Sequence, residues 1–162
     1  MHDDMTGIDA TRREVLRAGA LLLAGMAAPL PVASASATPA EVKAEIARIA
    51  GGAKVTPGKV RLDIPPLVEN GNTVPCTVTV ESPMTPSDHV RAIHVFAEKN
   101  PQPNVITCHL GPRAGRASIA TRIRLADTQK VVAIAELSDG SFWSDTAEVI
   151  VTIGACLEDN VI

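Results

Sequence analysis

The residues of this chain best able to do covalent chemistry are its three cysteines, and they stand in two settings. Cys76 sits within Val74-Pro75-Cys76-Thr77-Val78-Thr79-Val80, and Cys108 within Val105-Ile106-Thr107-Cys108-His109-Leu110. Each shares an alternating face with apolar neighbours, and a thiol in that setting is buried and inert by default. In an oxidising compartment the two also suit a disulfide, if their Cα atoms come within about 7 Å. Cys156 is different. It follows a strand-like run that ends at Ile153, with Gly154 and Ala155 between. It reads either as a carrier thiol on a mobile arm or as an incidental tail residue tucked against the body. Glycine at the strand exit gives the backbone freedom that other residues lack. An arm over 154–162 spans at most about 30 Å, and it carries Cys156 about 10 Å from the last strand. Glu158 and Asp159 disfavour the thiolate. Such a thiol suits being worked on by enzymes better than attacking unaided, since the thiolate is the nucleophile.

Other constellations are weaker. His89, His94 and His109, with Met84 and a cysteine, are the residue types of a copper site, which needs a cysteine and two histidines to converge near a long axial methionine. An acidic tail follows Cys156, without the ligands expected around such a cysteine. The histidines read as ordinary strand residues, and neither a metal nor a cofactor is expected. The chain has no G-x-S-x-G, H-E-x-x-H, C-x-x-C or P-loop. Ser138-Asp139-Gly140-Ser141 reads as a hairpin turn, with no histidine close in sequence to make a triad.

The elements that must position these residues begin with an export signal. Arg12, Arg13 and Arg17 precede an apolar run from Ala18 to Leu30, and Ala-Ser-Ala sites follow at 33–35 and 35–37. A charged region, a short apolar region and a small-residue cleavage site make a secretory signal, and the run is short of the ~20 residues that span a bilayer. Thr11-Arg12-Arg13-Glu14-Val15-Leu16 has the twin-arginine form, which exports folded proteins. Residues 1–37 are therefore expected to be removed, to meet the membrane during export alone, and to deliver the protein to a bacterial periplasm. Of 15 basic and 18 acidic residues, the signal holds Arg12, Arg13, Arg17 and Asp3, Asp4, Asp9, Glu14, leaving 12 and 14 from Thr38 onward. With no basic excess and 2% aromatic residues, nucleic-acid binding is disfavoured.

The remainder suits one domain. A helix is expected over 39–50: Thr38 caps it, Pro39 takes the first helical position, Glu41 completes a capping box and Gly51-Gly52 stops it. Val42, Ile46 and Ile49 form its apolar stripe, which must lie against its own domain or a partner. Thereafter the apolar period is two. Seven strand-like segments, at 59–64, 74–81, 90–98, 105–110, 117–125, 130–137 and 142–153, alternate with turns rich in Gly, Pro, Asn and Asp. This pattern predicts an all-β fold, an antiparallel β-sandwich of immunoglobulin-like type with a short N-terminal helix, over 38–153.

The segments "NGNTVP", "ESPMT", "IHVFAEKNPQPNV" and "TRIRLADTQKVVAIAELSDGSFWSDTAEVIVTIGAC" resemble SoxY, the sulfur-carrier subunit family of the periplasmic thiosulfate-oxidising Sox system. The resemblance runs from about Ala40 to Cys156. It implies a β-sandwich that pairs with a SoxZ-like subunit and is itself no enzyme. It also implies that Cys156 holds a sulfur intermediate covalently while Sox-like periplasmic enzymes oxidise and hydrolyse it. SoxZ lacks an export signal and travels bound to SoxY, which accords with a signal for folded cargo. One departure stands out. The usual SoxY terminus is G-G-C-G-G, whereas this chain reads Gly154-Ala155-Cys156-Leu157-Glu158, nearer to a SoxY-related branch ending A-A-C-I-E. The bulkier flanks Ala155, Leu157 and Glu158 put thiosulfate itself in question as the substrate. The rival readings are a structural or a metal-binding periplasmic sandwich whose tail cysteine is incidental.

Overall fold

The computed structural model describes residues 36–154. The predicted export signal, with Arg12 and Arg13, and the predicted arm from Ala155 through Cys156, Leu157 and Glu158 lie outside the described residues. Helix α1 spans Pro39–Ala50. Nine strands follow: β1 Val55–Pro57, β2 Val60–Asp63, β3 Leu67–Asn70, β4 Val74–Val80, β5 Val90–Ala97, β6 Asn104–His109, β7 Ser118–Ile123, β8 Gln129–Leu137 and β9 Phe142–Ile153. The seven predicted strands are β2 and β4 to β9. The two missed ones, β1 and β3, are short and interrupted or flanked by proline. Both pair in parallel with the same edge of β9, β1 at Phe142–Ser144 and β3 at Ile150–Ile153.

The strands form two layers. One sheet runs β1-β9-β8-β5-β6 with β3 also on β9, and the other runs β2-β4-β7. Except for β1 and β3, the pairings are antiparallel. Alternation places Val74, Cys76, Val78 and Val80 of β4 toward Ile93, Val95, Val131, Ala133, Val149 and Val151 of the larger sheet, all in one core. Strand β5 is buried on both faces from Ala92 to Ala97, because α1 covers the outer side.

That cover follows from the capping box. The Thr38 hydroxyl accepts from the Glu41 backbone N–H at 3.2 Å, and the Glu41 carboxylate accepts from the Thr38 N–H at 2.7 Å. Gly51 ends the helix with φ 59°, a conformation that favours glycine. The stripe Val42, Ile46, Ile49 then packs with Ala50 on Phe96, Ile134, Phe142 and Val132. The helix stripe therefore packs on its own domain, with Val42 buried and Ile46 and Ile49 half-buried. Burying Val42 to 3% exposure contributes roughly 1.5–3 kcal/mol.

Candidate functional site

Strand β9 carries the chain to the predicted arm, and its exit is closely held. The Val151 N–H donates to the Thr128 hydroxyl oxygen at 3.0 Å, and that hydroxyl donates to the Val151 carbonyl at 3.4 Å. The Ile153 carbonyl accepts from the Gly71 N–H at 2.8 Å, and the Gly71 carbonyl accepts from the Leu125 N–H at 2.8 Å. Gly154 then lies buried against the β7–β8 loop. A Cβ placed on it would stand 2.0 Å from the Ala126 carbonyl oxygen. Its φ is outside the left-handed region. Glycine is required here by close approach of two backbones, not by the conformational freedom that the sequence suggested.

The loop that presses on Gly154 is itself anchored by two buried amides that sequence reasoning missed, Asn100 and Gln129, 9% and 4% exposed. Asn100 Oδ1 accepts from the Ala126 N–H at 3.0 Å and from Gln129 Nε2 at 3.1 Å, while Asn100 Nδ2 donates to the Arg124 carbonyl at 2.8 Å. Gln129 Nε2 also donates to the Asp127 carbonyl, and its Oε1 accepts from the Lys99 N–H. Outside this hub Lys99 Nζ stands 2.7 Å from Asp127. The Lys99 hydrogen bond, with one from the Thr128 backbone, holds the Asp127 carboxyl below its ordinary range. In sequence Asn100 and Gln129 both fall in turn-rich segments, at 99–104 and 126–129, and are types that are mostly exposed.

The three large hydrophobic side chains exposed among the described residues lie on the same edge. Leu67 and Ile150 are register partners on β3 and β9, 61% and 53% exposed, and Ile153 at the exit is 58% exposed.

The two body cysteines are both free thiols, not a disulfide. Cys76 is in the middle strand of the smaller sheet, and burial pushes its thiol pKa up. Cys108 is on the outermost strand of the larger sheet and is half-buried, more accessible than its apolar neighbours suggested. Met84 is buried, its Sδ accepting from the Val90 N–H at 3.5 Å. His94 and His109 meet edge-on beside α1, with ring centroids 6.5 Å apart. Among the described residues no three His, Cys, Asp or Glu side chains are arranged to hold a metal.

Comparison with known proteins adds the following. The family model described as sulfur oxidation protein SoxY matches residues 46–156. The sulfur carrier protein SoxY from Chlorobium limicola f. thiosulfatophilum superposes with a TM-score of 0.60 at 26% identity, covering 72% of this chain and 100% of that one. A variant of the superoxide reductase (neelaredoxin) from Ignicoccus hospitalis gives a TM-score of 0.52 at 17% identity over 70% of this chain and 92% of that one, a likeness of fold. No curated protein sequence matches the chain.

Proposed function

The chain belongs to the SoxY family of sulfur oxidation proteins, and from that premise we propose that it is a periplasmic carrier that holds a sulfur intermediate covalently on Cys156. The observation that carries this reading is the contrast among the thiols. Cys76 and Cys108 are built into strands of the body, whereas Cys156 follows two residues after Gly154, where β9 leaves the sandwich. The SoxY of Chlorobium is described as a sulfur carrier protein, which supports the same role here.

The protein acts as carrier rather than enzyme. Joining the Cys156 thiolate to the terminal sulfur of a sulfur anion forms an S–S bond and releases two electrons. Loading therefore needs an electron-accepting enzyme, and hydrolysis of an oxidised terminal group leaves a persulfide on the cysteine. Sox-like periplasmic enzymes supply both steps. A SoxZ-like subunit is the expected stable partner. The apolar pair Leu67 and Ile150, rather than the helix stripe, is the surface we assign to that contact. Arg12 and Arg13 direct export by the twin-arginine route, and the departure at Ala155, Leu157 and Glu158 argues for a sulfur compound other than thiosulfate.

The test is the intact mass of protein isolated from the periplasm, before and after a thiol reductant. A reductant-labile mass increment in the native protein, absent from Cys156→Ser, is expected. Unmodified protein from sulfur-oxidising cells, together with full cellular function of Cys156→Ser, would assign the tail cysteine no carrier role.

A further inference from the structure

A glycine beside a carrier cysteine invites reading as a hinge, and the geometry at the β9 exit argues the reverse. We propose that Gly154 is a positioning residue: together with Ala126, Thr128 and Gly71 it forms a rigid collar that fixes the direction in which the chain leaves the sandwich. This deepens the carrier reading and rests on it.

Three independent observations support the collar. The Ala126 carbonyl occupies the space a Cβ on Gly154 would need, 2.0 Å away. The residues just before Gly154 are bonded on two sides, Val151 by the Thr128 hydroxyl and Ile153 by the Gly71 N–H. The wall of the collar is not a loose loop, because Asn100 takes the Ala126 N–H and the Arg124 carbonyl, and Gln129 braces Asn100. A buried amide hub with its bonds satisfied holds a single arrangement.

The consequence is geometric. Two residues beyond Gly154 extend at most about 7 Å, so a short tether cannot correct an error of direction at its root. Misplacing a reacting atom by about 1 Å costs on the order of a hundredfold in rate. An enzyme that meets a tether with a fixed root loses less chain freedom than one that captures a tether whose root is also free.

The collar and hinge readings predict opposite responses to one substitution. In the full-length protein with Cys76→Ala and Cys108→Ser, nitroxide labels are placed on Cys156 and on Lys54→Cys. Lys54 is exposed beside β1, which pairs with the far end of the twelve-residue β9, roughly 35 Å from the exit. Pulsed electron paramagnetic resonance then reads the distance distribution. A collar gives a narrow distribution that Gly154→Ala shifts and broadens about twofold, since one more residue becomes free to rotate. Thr128→Val, which removes both bonds to Val151 without changing shape, broadens it in the same sense and serves if Gly154→Ala does not fold. Loss of stability alone leaves the width unchanged in the folded fraction. A broad parental distribution that Gly154→Ala narrows, or widths unchanged by both variants, would overturn the collar. No cargo is involved, so this result is independent of whether Cys156 carries sulfur, which the mass measurement decides.

Discussion

His94 Nδ1 lies 3.1 Å from the Thr107 hydroxyl, while its Nε2 is buried with no hydrogen-bond partner. Only 6% of the residue is exposed, and its ring stacks on Phe96 beneath α1. A proton added to this ring gains no acceptor at Nε2 and must be held away from water. Burial accordingly lowers the pKa below the ordinary histidine value, and His109 and Arg48 lower it further, against the opposing pull of Glu136 and Glu45.

The sign for stability follows. The unfolded chain binds this proton more readily than the native state, so His94 contributes stability that is full above about pH 6.5 and is lost as pH falls through that value toward the lower native one. One such group gives a slope of at most about 1.4 kcal/mol per pH unit. Thermal unfolding of the native protein is expected to show a lower midpoint at pH 5 than at pH 7.5. His94→Gln, which cannot take up the proton, should flatten that difference. Equal pH slopes in the two proteins would show that His94 is not the group responsible.

Thiol reactivity separates the three cysteines. Alkylation of the native protein should modify Cys156 first, Cys108 at an intermediate rate and Cys76 last. Cys76 is 1% exposed and its thiol is disfavoured as thiolate by burial, so it reacts through opening of the fold, slower by orders of magnitude. Peptide mapping over time gives the order. Labelling of Cys76 as fast as Cys156 would contradict both the packing and the carrier assignment.

What could be read from sequence was whatever a local signal determines. Thr38, Glu41 and Gly51 each carry a helix-end signal, and α1 forms where they place it. Alternation found β2 and β4 to β9 because each offers at least two inward-facing residues. Strands β1 and β3 defeated it: Val55–Pro57 is three residues long, and Leu67–Asn70 has one buried member, Val68. Their existence depends on β9, whose length lets one edge serve two partners in turn, a tertiary fact with no local trace. Gly154 was identified as special for the wrong reason. Positive φ and close backbone approach both select glycine, and the residue type alone does not distinguish them. The Asn100–Gln129 hub was invisible because the backbone partners of Asn100 lie in a loop 24 to 26 residues away, and Gln129 reaches back 30 residues to the Lys99 N–H.

Partner docking should depend on Leu67 and Ile150. Both side chains face solvent on paired strands, so replacing them costs the isolated fold little. A stable heterodimer with a SoxZ-like subunit buries roughly 1,200 Å² or more, and loss of a central apolar pair weakens such an interface at least about tenfold. The variant Leu67→Ser with Ile150→Ser is expected to keep its melting temperature and to lose co-elution with the partner at micromolar concentration. Undiminished co-elution would move the interface to another face, and two monomer peaks for the native pair would remove the heterodimer altogether.

The arm itself bears on substrate choice. A cleft that accepts a cysteine between glycines is narrow, because glycine presents no side chain. Leu157 adds a branched four-carbon group there, and Glu158 adds a negative charge beside the proposed adduct, which is expected to be anionic. Overpacking a fitted site costs about 1–3 kcal/mol, or roughly 5- to 150-fold in binding, and a like charge in a desolvated cleft adds to that. The native protein is therefore expected to be a poor acceptor for enzymes of an ordinary thiosulfate-oxidising system. Changing Ala155, Leu157 and Glu158 to glycine should raise the rate, while Gly154 and the collar behind it stay as they are. The measurement is thiosulfate-dependent mass gain on Cys156 with such enzymes. If the native arm loads as fast as the glycine-substituted one, the flanks do not set specificity, and thiosulfate itself becomes the expected cargo.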